Sequence, residues 1–326
     1  MNKYSIILPV FNGGELLKIC VHSILSQTYP NFNLIVLDNC STDGTVKFLE
    51  SQNDARIIIY LSEKNLGIVG NWSRILDIPK NEFITLIGHD DILLPSYLHE
   101  IDELIKLYPN ASLYQTHFNY VDALGHFMKP CKPMSYIQNY DEFIAAQMSQ
   151  TMDSMGTGYM MRSVDFDSIG GMPSNYPNLI FADYELWVKL TKLSNKVTSA
   201  KFCFNYRIHN SVSKTTNGEE YAAAFHKYIL FLNTLRQDSK IKNVFENYGY
   251  QFLMYFCQSL SHRILKTPLN KRKIKVGEFI EQCKIMAAMI IPGKAFNPLK
   301  YFKIRIAKQL DNHKIFYELF RIFKRV

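Results

Sequence analysis

The sequence predicts an α/β protein with a mostly parallel central sheet flanked by helices and a helical C-terminal region. Three observations carry this. Short β-rich runs alternate with helix-patterned segments over the first 120 residues, the order expected of repeated βα units. Beyond residue 217 helical periodicity dominates. The 326 residues are 47% apolar and 20% charged, close to the globular averages of roughly 45–50% and about 25%. Disordered, collagen-like and disulfide-scaffold chains are thereby excluded.

Taken in order, Tyr4–Val10 reads as a strand, and residues 15–27 place apolar side chains at 16, 17, 20, 21, 24 and 25, one face of a helix. Residues 33–38 read as a buried strand, 43–52 as a helix, 56–62 as a strand, 71–77 as a short helix and 82–88 as a strand. A helix over 95–107 would begin on Pro95, a residue favoured at the first helical position. A strand over 111–118 follows. From 120 to 215 the pattern is irregular apart from a helix at Ala182–Leu193 and an extended run over 197–208. Helices are then expected over 219–235, 245–265, 276–291 and 299–324. In mostly parallel sheets ligands bind beyond the carboxyl ends of the strands. The loops after Val10, Leu37 and Gly88 are therefore the places to look for chemistry.

The net charge of +8 is unevenly spread. Residues 263–326 hold 16 basic and four acidic side chains, which leaves 21 basic against 25 acidic in residues 1–262. This asymmetry suggests a working domain followed by a basic docking segment, and the helical patterning sets off residues 216–326 from 1–215. No nucleic-acid-binding motif accompanies the basic residues. The six cysteines contain no C-x-x-C pair, which argues against a zinc ribbon or redox centre and for buried thiols in a cytosolic protein. The first residues lack the pattern of a secretory signal. The apolar run at 285–291 is far below the roughly 20 residues that span a bilayer.

Three acidic loops stand out: Asp38-Asn39-Cys40-Ser41-Thr42-Asp43-Gly44, His89-Asp90-Asp91, and Asp183-Tyr184-Glu185 at the start of a helix. Two carboxylates about 4 Å apart repel by roughly 4 kcal/mol at an effective dielectric of 20. A hard divalent cation would relieve that repulsion, and a helix-capping Asp is the competing reading.

The runs Ser5-Ile6-Ile7-Leu8-Pro9-Val10-Phe11-Asn12, Ser23-Ile24-Leu25-Ser26-Gln27-Thr28-Tyr29 and Leu37-Asp38-Asn39-Cys40-Ser41-Thr42-Asp43-Gly44-Thr45 closely resemble the inverting family 2 glycosyltransferases. Asn65-Leu66-Gly67, Asp90-Asp91, the segment from Asp183 to Trp187, and Arg207-Ile208-His209 continue the likeness in the family's order. The resemblance covers about residues 3–215. It implies the GT-A fold, with a nucleotide-binding half over 1–118 and an acceptor-binding half over 119–215.

It further implies residue roles. Phe11, with Pro9 and Asn12, would meet the nucleobase. Asp38, Asn39, Asn65 and Asp90 would complete the nucleotide site. Asp91 would be the direct Mn²⁺ or Mg²⁺ ligand, with His209 at the metal or diphosphate. Gly156, Thr157, Gly158 and Trp187 would border the sugar and acceptor, and Asp183 would be the catalytic base. Two departures stand beside the likeness: Asn39 replaces a common second acid, and Ala182 replaces a common Glu.

The implied activity is transfer of a sugar from a nucleotide-diphosphate sugar, UDP or dTDP, to a glycan or lipid-linked acceptor in surface polysaccharide synthesis. A nucleotidyltransferase or a non-catalytic sugar-binding protein is the alternative. Residues 299–326 combine apolar Leu299, Phe302, Ile306, Leu310, Phe316, Leu319, Phe320 and Phe323 at three- and four-residue steps with interspersed Lys and Arg. That pattern suits an anionic membrane surface at the cytoplasmic face. A helix packed on the catalytic region with a solvated basic face remains the alternative.

Overall fold

The computed structural model describes residues 2–209, 211–268, 272–313 and 317–318. The chain divides into two compact units. One comprises Met1–Phe143, Thr151–Asn175 and Ala182–Ser211; the other comprises Ile144–Gln150, Tyr176–Phe181 and Val212–Val326.

The first unit is built on β1 (Tyr4–Val10), whose seven residues are all buried. A strand covered on both faces reads as a continuous apolar run, as this one does. Helix α1 (Gly14–Leu25) follows and buries Leu17, Cys20, Val21 and Ile24, one stripe at helical spacing. Next come β2 (Phe32–Asp38), α2 (Thr45–Ser51), β3 (Ile57–Tyr60), α3 (Gly67–Ser73), β4 (Phe83–Leu86), β5 (Ile92–Leu93), α4 (Tyr97–Leu107) and β6 (Leu113–Val121). The chain continues through β7 (Phe127–Pro130), β8 (Ile137–Gln138), α5 (Tyr140–Ser149), β9 (Tyr159–Arg162), α6 (Ser163–Ser168), α7 (Ala182–Leu193) and β10 (Lys196–Arg207).

The strands form one sheet in the order β3-β2-β1-β4-β9-β6-β10-β5, with β7 on β6 and β8 on β10. Pairing is parallel through β3, β2, β1 and β4, and again between β6 and β10. Strand β9 runs antiparallel between β4 and β6. In register, Val10 lies opposite Asp38 and Ile7 opposite Leu86, so the loops leaving β1, β2 and β4 emerge on one rim.

Several expectations shift. Helix α3 begins four residues before the expected start at 71 and runs into a 3₁₀ turn at Arg74–Leu76. Pro95 is not the first helical residue; α4 opens at Tyr97 after Ser96, and the Pro95 carbonyl instead accepts the Thr28 amide at 2.9 Å. The irregular region from 120 holds β7, β8, α5, β9 and α6. All six cysteines are free, and all but half-buried Cys40 are buried.

The second unit contains α8 (Val212–Thr215), α9 (Gly218–Thr234), α10 (Ser239–Lys266), α11 (Val276–Ile290) and α12 (Phe302–Asn312). Its core is aromatic: Phe225 stacks on Phe256 at 4.6 Å, and Phe181 stacks on Tyr228 at 5.7 Å. Helix α12 packs through Ile304, Ala307 and Asp311. The expected stripe is therefore not the packing face: Phe302 is 64% exposed, and Ile306 and Leu310 are half-buried. The reason is Asp311, which pairs with Arg272 and accepts the Val276 amide at 2.6 Å, turning the helix to bring its small Ala307 inward. The expected continuation through Phe316, Leu319, Phe320 and Phe323 lies outside the described residues. Among the described residues no helix is long and apolar enough to cross a membrane.

Candidate active site

At the rim where β1 and β2 end, the loops that follow them clasp each other. The Asn12 amide donates to Ser41 Oγ at 2.9 Å, the Thr42 amide to Asn12 Oδ1 at 2.8 Å, and the Gly14 amide to Asp43 Oδ2 at 3.0 Å. Asn12 is held in the left-handed region at φ 49°, a conformation Asn tolerates better than most residues. This frame leaves Phe11 42% exposed at the rim, whereas Pro9 is buried inside β1 and opposite Leu37.

Asp38 closes β2 with 2% exposure. Its Oδ2 accepts the Ser41 amide at 3.0 Å, while Oδ1 is buried without a partner. Asn39 differs. Its Nδ2 donates to Asn65 Oδ1 at 2.9 Å and to the Gly67 carbonyl at 3.4 Å, and its Oδ1 accepts the Leu66 amide at 2.8 Å. The amide that replaces a second acid thus holds the 65–67 turn. Arg74 was not singled out from sequence. It donates to the carbonyls of Asp38, Tyr60 and Leu61 at 2.9 Å each, bracing the same loop from below.

On the acidic side, the two adjacent aspartates point apart. Asp91 is 3% exposed; its Oδ1 accepts the Arg207 amide at 3.1 Å and its Oδ2 the Thr157 hydroxyl at 2.7 Å. Burial and the neighbouring Asp90 charge push the Asp91 carboxyl well above the usual range. Asp90 instead meets His209, Oδ2 against Nε2. Burial alone would raise Asp90, but the His209 hydrogen bond and the nearby imidazoles hold it below the usual range. Each Asp91 oxygen thus accepts one hydrogen bond within the protein, while Asp90 and His209, with side chains 23% and 19% exposed, form the more open pair of this loop. His89, read from sequence as incidental, lies within electrostatic reach of Asp90, His209 and Asp43.

Arg207 was missed as a functional residue although it sits two positions before His209. Its Nε donates to the Asp90 carbonyl at 2.8 Å and its Nη1 to the Ala123 carbonyl at 3.0 Å, so β10 clamps the acidic loop through backbone and side chain together.

Asp183 stands in the first turn of α7. Burial raises its carboxyl to about 6, against the backbone amides of Tyr184 and Asp183 that pull it down. The backbone just before it carries three non-glycine residues in the left-handed region: Asn178, Leu179 and Phe181. Such conformations cost about 1–3 kcal/mol each.

The loop at 155–158 joins the two acidic centres. A Cβ added at Gly156 would lie 3.6 Å from Asp183 Oδ2, and the next residue, Thr157, donates to Asp91. Gly158 has φ 78° and its amide bonds the Leu86 carbonyl at 3.0 Å; an added Cβ would meet Phe204 at 2.9 Å. Trp187 fastens this loop to α7, its Nε1 donating to the Met155 carbonyl at 2.9 Å and its ring stacked on Tyr159 at 4.3 Å. Trp187 itself is fully buried, at 0% exposure. Among the described residues no group of three or more His, Cys, Asp or Glu is spaced to hold a metal ion by itself.

A curled, mostly parallel sheet flanked by helices, with the β1 and β2 loops on one rim, defines a GT-A glycosyltransferase fold. The family model for glycosyl transferase family 2 matches residues 5–170, just over half of the chain, and the chain belongs to that family. It is 27% identical over 213 residues to the Escherichia coli UDP-Glc:alpha-D-GlcNAc-diphosphoundecaprenol beta-1,3-glucosyltransferase WfgD, covering 64% of this chain and 78% of that protein. An uncharacterized glycosyltransferase of Rickettsia typhi is 26% identical over 234 residues, 69% of this chain and 71% of its own.

Among solved structures, residues 1–349 of S. aureus TarS with UDP-GlcNAc superpose with a TM-score of 0.58 at 12% identity, covering 94% of this chain and 90% of that one. The mannosyltransferase PcManGT of Pyrobaculum calidifontis, in complex with GDP-Man and Mn²⁺, gives a TM-score of 0.54 at 11% identity, covering 99% and 88%.

Proposed function

We propose that this glycosyltransferase transfers a sugar, with inversion, from a UDP- or dTDP-sugar to a hydroxyl of a glycan or lipid-linked acceptor in surface polysaccharide synthesis. The observation that carries the reading is the 155–158 loop, where consecutive residues adjoin Asp183 and bond Asp91. Through that loop a carboxyl raised toward neutrality is tied to the acidic loop.

Asp38 Oδ1, buried and unpartnered, suits the imide N–H of uracil or thymine, because an ionised carboxylate only accepts. Phe11 offers the stacking face above it. The names of WfgD and of the TarS complex, both with UDP-sugars, support the same donor class.

The paired Asp90 carboxylate and His209 imidazole fit a divalent cation that takes its remaining ligands from the diphosphate and water, as Mn²⁺ or Mg²⁺ does. When bound, such a cation offsets the charge that gathers on the leaving diphosphate by several kcal/mol. The chain's own residues do the rest. Asp183 accepts the proton of the acceptor hydroxyl while that oxygen bonds the anomeric carbon; the bond to the diphosphate breaks and its electron pair leaves with the nucleotide. Asp91, fixed by Thr157 and Arg207, keeps the Asp90 loop in place. The raised Asp183 carboxyl is near the operating pH, where a general base is most effective.

The excess of basic residues over 263–326 supports attachment to an anionic bilayer surface. The test of donor class is a thermal-shift screen of UDP-, dTDP- and GDP-sugars with Mn²⁺. Stabilisation by UDP- or dTDP-sugars, lost on Asp38→Ala, is expected; stabilisation by GDP-sugars alone would overturn the donor assignment.

A further inference from the structure

Strands β6 and β7 are joined by a turn whose backbone is closed by hydrogen bonds while its side chains are apolar. The Gly125 amide donates to the Asp122 carbonyl at 3.0 Å, and the Asp122 amide to the His126 carbonyl at 2.9 Å. Asp122 Oδ1 accepts the amides of Leu124 and His126 at 2.9 Å each. Arg207 Nη1 donates to the carbonyls of Asp122 and Ala123 at 3.3 and 3.0 Å. Gly125 takes the left-handed conformation, φ 91°, on which the turn depends.

Turns of this kind ordinarily carry Asn, Asp, Ser or Gly. Here Leu124 is 79% exposed, more than any other large apolar side chain among the described residues, and Phe127 and Met128 are 65% and 53% exposed. Lys129 is exposed beside them, its Nζ 4.8 Å from the Tyr120 ring centroid. Asp122, the one carboxylate of residues 121–130, is engaged by the turn amides and by His126 Nδ1 at 3.2 Å. The turn is also tied to the acidic loop. The same Arg207 donates through Nε to the Asp90 carbonyl at 2.8 Å and through its backbone amide to Asp91.

A turn that spends its backbone polar groups internally, and offers Leu, Phe and Met beside a lysine, suits the headgroup boundary of a bilayer. Unsatisfied backbone groups are costly there, and a basic side chain meets lipid phosphate. We propose that the tip of the β6–β7 hairpin inserts Leu124, Phe127 and Met128 into a phospholipid surface. Through Arg207, insertion seats the acidic loop close to the plane from which a lipid-linked acceptor presents its hydroxyl. The inference rests on the lipid-linked acceptor reading for its purpose, while its evidence and its test do not involve sugar transfer. A second copy of the chain fits less well: β7 is four residues long and ends on Pro130, which has no amide to offer an added strand.

The test places a reporter at the tip of the full chain. Leu124→Trp, mixed with vesicles of phosphatidylcholine and phosphatidylglycerol, should be quenched when the lipids carry bromine on their acyl chains, beyond the background that Trp72 and Trp187 give in the wild type. Leu124→Ser/Phe127→Ser should weaken vesicle binding about tenfold or more, since burying either side chain is worth at least that factor. Melting temperature and thermal stabilisation by UDP should be unchanged in both variants. Absence of UDP stabilisation in the wild type would count against the transferase reading, and tip insertion is scored without it.

Vesicle binding without acyl-chain quenching at position 124 overturns the proposal, because the basic residues of 263–326 would then account for attachment. So does a wild type that binds no vesicles. A melting temperature lowered in Leu124→Ser/Phe127→Ser, or a dimer in solution that this variant dissociates, would mean that protein covers the tip, and overturns it as well.

Discussion

The two sides of the candidate site are built on opposite principles. On the nucleotide side nearly every polar group is spent within the protein: Asn12, Ser41, Asp43, Asn39 and Asn65 hydrogen-bond one another's loops, and one carboxylate oxygen, on Asp38, is left over. On the acidic side the groups are electrostatically unsettled. Asp91 and Asp183 are pushed up by burial, while Asp90 leans on an imidazole. A rigid cradle needs its hydrogen bonds closed; a centre that must take up a proton and face a diphosphate needs groups held away from their ordinary ionisation. On the proposed function, the same residue type, Asp or Asn, therefore serves as scaffold on one rim and in the chemistry on the other.

The contrast is broken most sharply at Asp183. Asp183→Asn keeps the shape and removes the base, so transfer should fall by about 10²–10⁴-fold while UDP stabilisation persists. Wild-type kcat/KM should rise with pH through about 6, because the base works deprotonated, and that limb should vanish in the variant. Stability moves the other way. A carboxyl raised in the folded state binds its proton more tightly there than in the unfolded chain, so stability falls as pH climbs from about 4 to about 6. At pH 7 Asp183→Asn should therefore melt higher than wild type, by at most about 3 kcal/mol at 1.36 kcal/mol per unit. A variant that is fully active, or that melts lower, would place Asp183 in the scaffold.

The next effect separates the adjacent acids. Asp90→Asn should leave the fold intact, raise the divalent-ion concentration needed for activity, and cut turnover by about 10²-fold, as befits several kcal/mol of charge stabilisation. Asp91→Asn should act on stability instead, since the amide removes a charge that burial and Asp90 disfavour and keeps both partners only if the Thr157 hydroxyl turns to accept from its Nδ2. A titration of activity against Mn²⁺, run beside thermal melts, tests both. Equal metal dependence in the two variants would make Asp91 a metal ligand beside Asp90.

How legible this was follows from what decided each feature. Strand β1 and helix α7 are readable because each is settled locally, one by an unbroken apolar run and the other by periodicity. Strands β5 and β8 are two residues each and exist only through pairing with β10, so no local pattern announces them. The packing face of α12 is set by a pair between Asp311 and Arg272, 39 residues apart in the chain. The motif residues on the acidic side were legible as a group, but which aspartate faces outward was not. That depends on Thr157 and Arg207 arriving from distant parts of the sheet.

The smallest effect tests the scaffold side itself. Asn39 is 2% exposed and its side chain closes three hydrogen bonds, all within the loops it joins. Asn39→Ala leaves the Leu66 amide short of a partner, at about 1–3 kcal/mol for an unsatisfied buried group, while Asn65 Oδ1 keeps the Gly67 amide at 2.8 Å. Asn39→Asp keeps an acceptor for the Leu66 amide but loses the donor to Asn65 and adds a charge. If the nucleotide rim is scaffold, both variants should lower the melting temperature and raise KM for the donor several-fold, with kcat nearly unchanged. Were Asn39 reading the base, Asn39→Asp would instead change the preference among UDP, dTDP and GDP donors without lowering stability. A donor screen paired with melting curves distinguishes the two, because a loop tie acts on every nucleotide alike.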